Sequence, residues 1–368
     1  TSLPLIKAAM ESEYTKDNPQ TWKLAADIEY QYYTKIENES KADPDNNELK
    51  KKYIETSAKL LSYCIKYDSL LVLDTKMKPE DKDKEHKIYQ PKGVNSAIQL
   101  LQAAQNYSNS ENQEELKQGA KYAEIFINAM ENSNLMKDFK HAELEGWKTY
   151  SKAFRAQSYL NIEGTPEETI VNAYKALFNT NFKGIAYQSL MNYYREKDKA
   201  KQNLYLQEGI DALKGDAEQK DLRANFVTIL MQNQFQAGDK EGFMKTAEIM
   251  KTEFADDENA VNAYLMEGQF AFEAKDYETA KKAFLAGSEK YPDDEKCLLM
   301  AARSAWMKAQ TTGSKKEDMN EAITLFKKLE AANPESPELW GESLYVLYNN
   351  TQQPKLAANY KKYYKSNK

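Results

Sequence analysis

The sequence is poor in the residues that mark most enzymes and most all-β folds. Its 368 residues include only two His, two Cys, 10 Pro, 13 Gly, six Val and four Arg. So little Pro and Gly leaves too few turn formers for a loop-rich sandwich or barrel, and scarce Val points the same way. The four Arg (Arg155, Arg195, Arg223 and Arg303) are too few for bidentate readout of phosphate or guanine, so nucleic acid is not an expected partner. A net charge of −6 is too mild to imply an acidic tail. No apolar run approaches the ~20 residues of a membrane span; the best local run is Leu70-Leu71-Val72-Leu73.

The scarcity of His and Cys limits the chemistry. His86 lies in a charged stretch and His141 opens a helical one, and neither belongs to HExxH or has a Cys nearby. No zinc site and no Ser-His-Asp or Cys-His nucleophile is marked. GxxxxGK[ST], GxGxxG and GxSxG are absent. Asp256-Asp257-Glu258 and Asp293-Asp294-Glu295 each precede a predicted helix, where acid favours the N-terminus. A glycosidase pair would have to face across a cleft, which successive hairpin tips do not. The expectation is no catalytic residue, no metal and no cofactor. Cys64 and Cys297 read as small buried hydrophobes rather than a disulfide.

What the chain has in quantity is helical pattern. Apolar residues recur at three and four, as in Ala260, Tyr264, Leu265, Gly268, Ala271 and Phe272. Breakers such as Ala237-Gly238-Asp239, Tyr291-Pro292-Asp293 and Asn333-Pro334 punctuate this pattern every dozen to twenty residues. The spacing predicts about sixteen helices between residues 21 and 366, with one more over 3–14, joined by short connections that make neighbours antiparallel. Two stretches break the rhythm. Residues 74–93 are charged and carry Pro79 and Pro91, which predicts an exposed loop. Its Asp81, Asp83 and Glu85 have calcium-loop spacing, but His86 stands where that loop needs Gly and Lys92 where it needs Glu. Residues 310–318 read as a polar insertion.

From about residue 220 the chain repeats itself. In 261–294, Gly268 is followed by Asp276-Tyr277, Ala280, Phe284, Gly287 and Pro292. This order and spacing resembles the 34-residue tetratricopeptide (TPR) repeat, with Glu267 a departure from the family's Leu. The next unit places Ala302, then eight extra residues, then Ala322, Phe326, Leu329 and Pro334. Residues 224–257 form a degenerate unit in which Phe243 replaces the usual Ala. The resemblance is clear over 224–334 and weaker over 94–223 and 335–366. The last helix and tail carry Lys355, Lys361, Lys362, Lys365 and Lys368, as a polar end cap should. The expected organisation is an N-terminal helical segment over 1–93, with the charged loop 74–93, and a TPR-like array over 94–368.

The resemblance implies an all-α, right-handed superhelical solenoid of antiparallel helix pairs with a concave face. It also implies which side chains line that face: Asn225, Gln232 and Phe235 from one unit, Asn262, Gln269 and Phe272 from the next, and Lys296, Arg303 and Trp306 from the third. Leu265 and Leu299 fall on the same positions. Amides can bond an extended backbone and aromatics add apolar contact. Alternatively the three aromatics pack between helices. The expected function is a non-catalytic scaffold binding a protein or peptide. The alternative is an exported protein that binds a small ligand or glycan in an aromatic-lined concavity. Self-association is open, since stacked repeats can bury their ends against a copy. The chain opens on Thr1 and not Met, so the expected location is a bacterial periplasm or cell envelope, with the cytoplasm the alternative.

Overall fold

The computed structural model describes residues 2–313 and 315–364. Among these residues every regular element is helical, seventeen α-helices with four short 3-10 turns. They form two compact units, Thr1–Asn192 and Tyr193–Lys368. The fold class is an all-α helical-repeat solenoid, in which helices pack chiefly on their neighbours in sequence.

The first unit holds α1 (Ser2–Glu11), α2 (Pro19–Ala42), α3 (Asn47–Leu73), α4 (Pro79–Tyr107), α5 (Gln113–Asn132), α6 (Leu144–Asn161), α7 (Glu167–Lys175) and most of α8 (Lys183–Tyr194). From α1 to α7 each helix packs on the next. Asn18, Asn46 and Asn112 start α2, α3 and α5 by accepting backbone N–H groups of the first turn. Leu60, Leu61 and Cys64 from α3 meet Ala97, Leu100 and Ala104 from α4 and Phe126 from α5 in one core.

Residues 79–93 are helix, not the loop that their charge and proline content predict. Pro79 stands in the first turn of α4, where a missing N–H costs nothing. Most of the charges lie outward, with Lys87 paired to Asp83 at 2.6 Å, while Glu85 turns in to accept from the Tyr67 hydroxyl at 2.7 Å and to pair with Lys23. Tyr89 pins the inner face. It is buried edge-on to Tyr67 at 4.8 Å, and its hydroxyl donates to Asp27 at 2.7 Å. Pro91 is exposed inside the helix. Position 93, where sequence placed a boundary, is therefore interior to α4, and Gly93 is buried.

The second unit holds α9 (Lys199–Ala212), α10 (Lys220–Gln236), α11 (Lys240–Glu253), α12 (Ala260–Glu273), α13 (Tyr277–Lys290), α14 (Glu295–Thr311), α15 (Lys316–Ala332), α16 (Gly341–Asn350) and α17 (Pro354–Tyr360). Four hairpins share one turn design. The first helix of each ends on a left-handed residue: Gly238 (φ 69°), Lys275 (60°), Gly313 (80°) and Gln352 (59°). Asp239 and Asp276 then cap α11 and α13.

The small positions mark close crossings. A Cβ on Gly268 would run into the Phe284 ring, and one on Gly287 would stand 2.7 Å from the Cys297 sulfur. Ala280, Ala302 and Ala322 are fully buried. The departure at Glu267 has a physical reason: its carboxylate pairs with Lys251 of α11, whose ammonium also sits 4.5 Å from the Tyr264 ring centre.

The insertion at 310–318 is mostly absorbed into helix. α14 and α15 each have 17 residues, against 14 in α12 and in α13. Ser314, within it, lies outside the described residues. At the C-terminal end Lys355, Lys361 and Lys362 are exposed, and Lys365 and Lys368 lie outside the described residues. α17 ends at Tyr360, earlier than expected, and a 3-10 turn over Lys361–Tyr363 follows.

Candidate functional site

In the second unit, helical spacing aligns residues four and three apart, so each first helix of a hairpin presents a stripe. On α12 the stripe is Asn262, Leu265, Met266 and Gln269; on α14 it is Lys296, Leu299, Met300 and Arg303. Phe235 from α10 and Phe284 from α13 close a cleft of about 410 Å³ between these stripes. The floor is leucine and methionine, and the polar groups stand at the ends of each stripe.

Five of the nine sequence-predicted side chains meet here: Phe235, Asn262, Gln269, Lys296 and Arg303. The other four do not line this cleft. Asn225 is exposed and Gln232 half-buried elsewhere on α10. Phe272 packs edge-on to Tyr277 at 5.2 Å, and Trp306 edge-on to Phe326 at 6.1 Å, both against the hairpin core. Phe235 serves both purposes, since it also contacts Phe270 at 4.8 Å. Met266 and Met300 were missed. Each directly follows one of the leucines on the concave-face positions, Leu265 and Leu299, and an adaptable apolar neighbour there was the available signal.

The electrostatics are one-sided. Lys296 and Arg303 are exposed, and neither forms an ion pair with a described residue. Several cations elsewhere in this unit are paired, among them Lys281 with Glu278 (2.9 Å) and Glu321, and Lys308 with Glu278 (2.8 Å). Those two lysines hold the Glu278 carboxyl well down, to about 2. The Gln269 amide donates to Glu273 at 2.8 Å, while the Asn262 side chain has no hydrogen bond to a described residue.

The two histidines occupy structural positions in the first unit. His86 lies between two carboxylates, Nδ1 2.7 Å from Asp68 and Nε2 3.1 Å from Asp138. Asn134 donates to Asp68 at 2.6 Å, and Gln90 donates to Asp138 at 2.8 Å. Burial presses the His86 pKa down, but the two carboxylates outweigh it and the net shift is upward. Hydrogen bonds at both ring nitrogens tie α3, α4 and the segment after α5 together. His141 stacks on Trp147 at 4.3 Å and accepts the Glu143 N–H at 3.1 Å.

No group of three or more His, Cys, Asp or Glu among the described residues could hold a metal ion. Asp294 caps α14 through the Lys296 and Cys297 N–H groups, and Asp257 accepts from the Asn259 N–H. Cys64 and Cys297 are free and buried, and burial pushes both thiols up to about 12. No described helix is long and apolar enough to cross a membrane.

No family model matches the chain, and no curated protein matches it. Among solved structures it is similar to a circular tandem repeat protein with novel repeat topology and enhanced subunit contact surfaces. The two are 12% identical over 98% of this chain and 92% of that one, with a TM-score of 0.27. A likeness that slight bears on neither function nor detail.

Proposed function

We propose that the chain is a non-catalytic, TPR-like scaffold that binds an extended peptide of a partner protein along the cleft of α10, α12 and α14. The observation that carries this is the pair of unpaired cations, Lys296 and Arg303, two helical turns apart beside an apolar floor. A peptide with acidic and apolar side chains in alternation matches it. Carboxylates would meet the cations, aliphatic side chains would meet Leu265, Met266, Leu299 and Met300, and the Asn262 amide would bond the backbone. The methionines adapt to more than one apolar shape. The packing roles of Phe272 and Trp306 weigh against an aromatic-lined sugar site. His86, bonded at both nitrogens, supports the non-catalytic reading.

A peptide library with varied acidic and apolar content tests this, using the wild type beside Lys296→Ala/Arg303→Ala. The wild type should select acidic-apolar peptides with affinity that falls as salt rises. The variant should keep the far-UV helical signal and lose that selection. Equal selection by both proteins would remove the cleft from the proposal.

A further inference from the structure

A second cleft, of about 510 Å³, opens in the first unit between α1, α2 and α3. Its walls are apolar, formed by Ile6 and Met10 from α1, Ile28 from α2 and Tyr63 from α3. Glu29 lines it and is only 6% exposed. The deeply buried charged residues number four among the described residues: Glu29, Asp68, Arg223 and Lys281. Three are partnered. Asp68 meets His86 and Asn134, Arg223 meets Glu253 and the Ile210 carbonyl, and Lys281 meets Glu278 and Glu321. Glu29 has neither a hydrogen bond nor an ion pair to any described residue, and Lys59 acts on it only through space.

The Glu29 carboxylate oxygens are not sealed off but reach the cleft, where a cation would be a stronger partner than water. Burial raises the Glu29 pKa, and Lys59 offsets the rise only in part. The cleft falls in the size range of small-molecule sites, which combine apolar walls with few polar groups.

We propose that this cleft binds a small molecule carrying a protonated amine on an apolar body, with the ammonium on Glu29 and the body against Ile6, Met10, Ile28 and Tyr63. The three N–H groups of an ammonium match the unfilled acceptor sites of the carboxylate. The exposed rim carries Lys7, Lys59 and Glu11. Lys59, near enough to act on Glu29 through space, favours an anionic group beside the ammonium. A zwitterion of amino-acid size with an apolar side chain therefore fits better than a simple amine. This site is separate from the peptide cleft and does not rest on it.

Calorimetric titration of the full chain with phenylalanine, 2-phenylethylamine and 3-phenylpropionate tests the proposal. Phenylalanine should bind tightest and phenylpropionate weakest. Glu29→Gln should weaken both amines by roughly tenfold or more, the worth of a hydrogen bond to a charged group, without lowering the melting temperature. Lys59→Met should weaken phenylalanine and spare phenylethylamine. Phenylpropionate binding as tightly as phenylethylamine would overturn the proposal, as would amine affinities unchanged in Glu29→Gln, or no binding of either amine at millimolar concentration. A melting temperature lowered by Lys59→Met and restored in the double variant would make Lys59 the partner of Glu29, and would also overturn it.

Discussion

The ring of Phe284 fills the space that a Cβ on Gly268 would need: its Cδ1 and Cζ both stand 2.6 Å from where that atom would be. The two residues lie on facing helices of one hairpin, and Phe284 is 1% exposed. A helical Gly→Ala change ordinarily gains up to about 1 kcal/mol from propensity. At Gly268 the buried ring cannot swing away, so Gly268→Ala should lose about 1–3 kcal/mol net, the scale of an overpacked core. Urea unfolding measures this, and a gain in stability would show that the crossing is looser than described.

The hairpin turns make a prediction of opposite sign. Lys275 holds φ at 60°, the conformation that Gly238 and Gly313 supply in the neighbouring hairpins. A side chain there costs about 1 kcal/mol that glycine does not incur. Lys275→Gly should therefore raise the unfolding free energy by up to about 1 kcal/mol, despite removing a side chain. No change, or a loss, would place the value of Lys275 in a contact of its side chain.

Pro91 sits exposed inside α4. It withholds one backbone N–H from the ladder and crowds the preceding turn. Little packing is lost by replacing an exposed ring, so Pro91→Ala should stabilise the protein by roughly 1–3 kcal/mol. A destabilised variant would mean that the proline itself is needed for the packing of Tyr89.

These sites also show what could be read beforehand. Gly268, Ala280, Phe284 and Pro292 announce the hairpin because each type is demanded by a local crossing or stop, at a fixed distance along the chain. The helical start of α4 escaped the same reading because Pro79, Pro91 and a dense run of charge are loop signals when summed. Their meaning depends on position: one proline in the first turn, one facing out, most of the charges on the solvent side of buried Tyr89. Within the cleft of α10, α12 and α14, Phe235, Asn262, Gln269, Lys296 and Arg303 were legible for the same local reason. Phe272 and Trp306 were not separable from it, since a stripe at helical spacing does not say whether a ring turns inward to Tyr277 and Phe326 or out to a ligand. Glu29 was not legible at all, because its isolation arises only when α1, α2 and α3 are assembled.

His86 should make the stability of the first unit depend on pH in a definite direction. Its pKa is raised in the folded state by Asp68 and Asp138 against the opposing effect of burial. The stabilisation is therefore complete below the unfolded value near ~6.5. It is lost as pH rises through the higher folded value. The melting temperature of the wild type should exceed that of His86→Gln by a constant margin in mild acid, and the margin should shrink above neutrality. A margin that grows with pH would mean that the ring is neutral when folded.

The lengthened hairpin of α14 and α15 bears on how such a chain can change over generations. Added residues at a hairpin tip become whole helical turns, and the buried bases around Ala302 and Ala322 keep their packing. One residue added in the middle of α13 would instead rotate every later side chain of that helix by about 100°, carrying Phe284 off Gly268. Length is therefore free to drift at the tips in steps of a turn, while the crossings tolerate no drift. A descendant of this chain could lose the regular period of its sequence and still stack its helices in the same order.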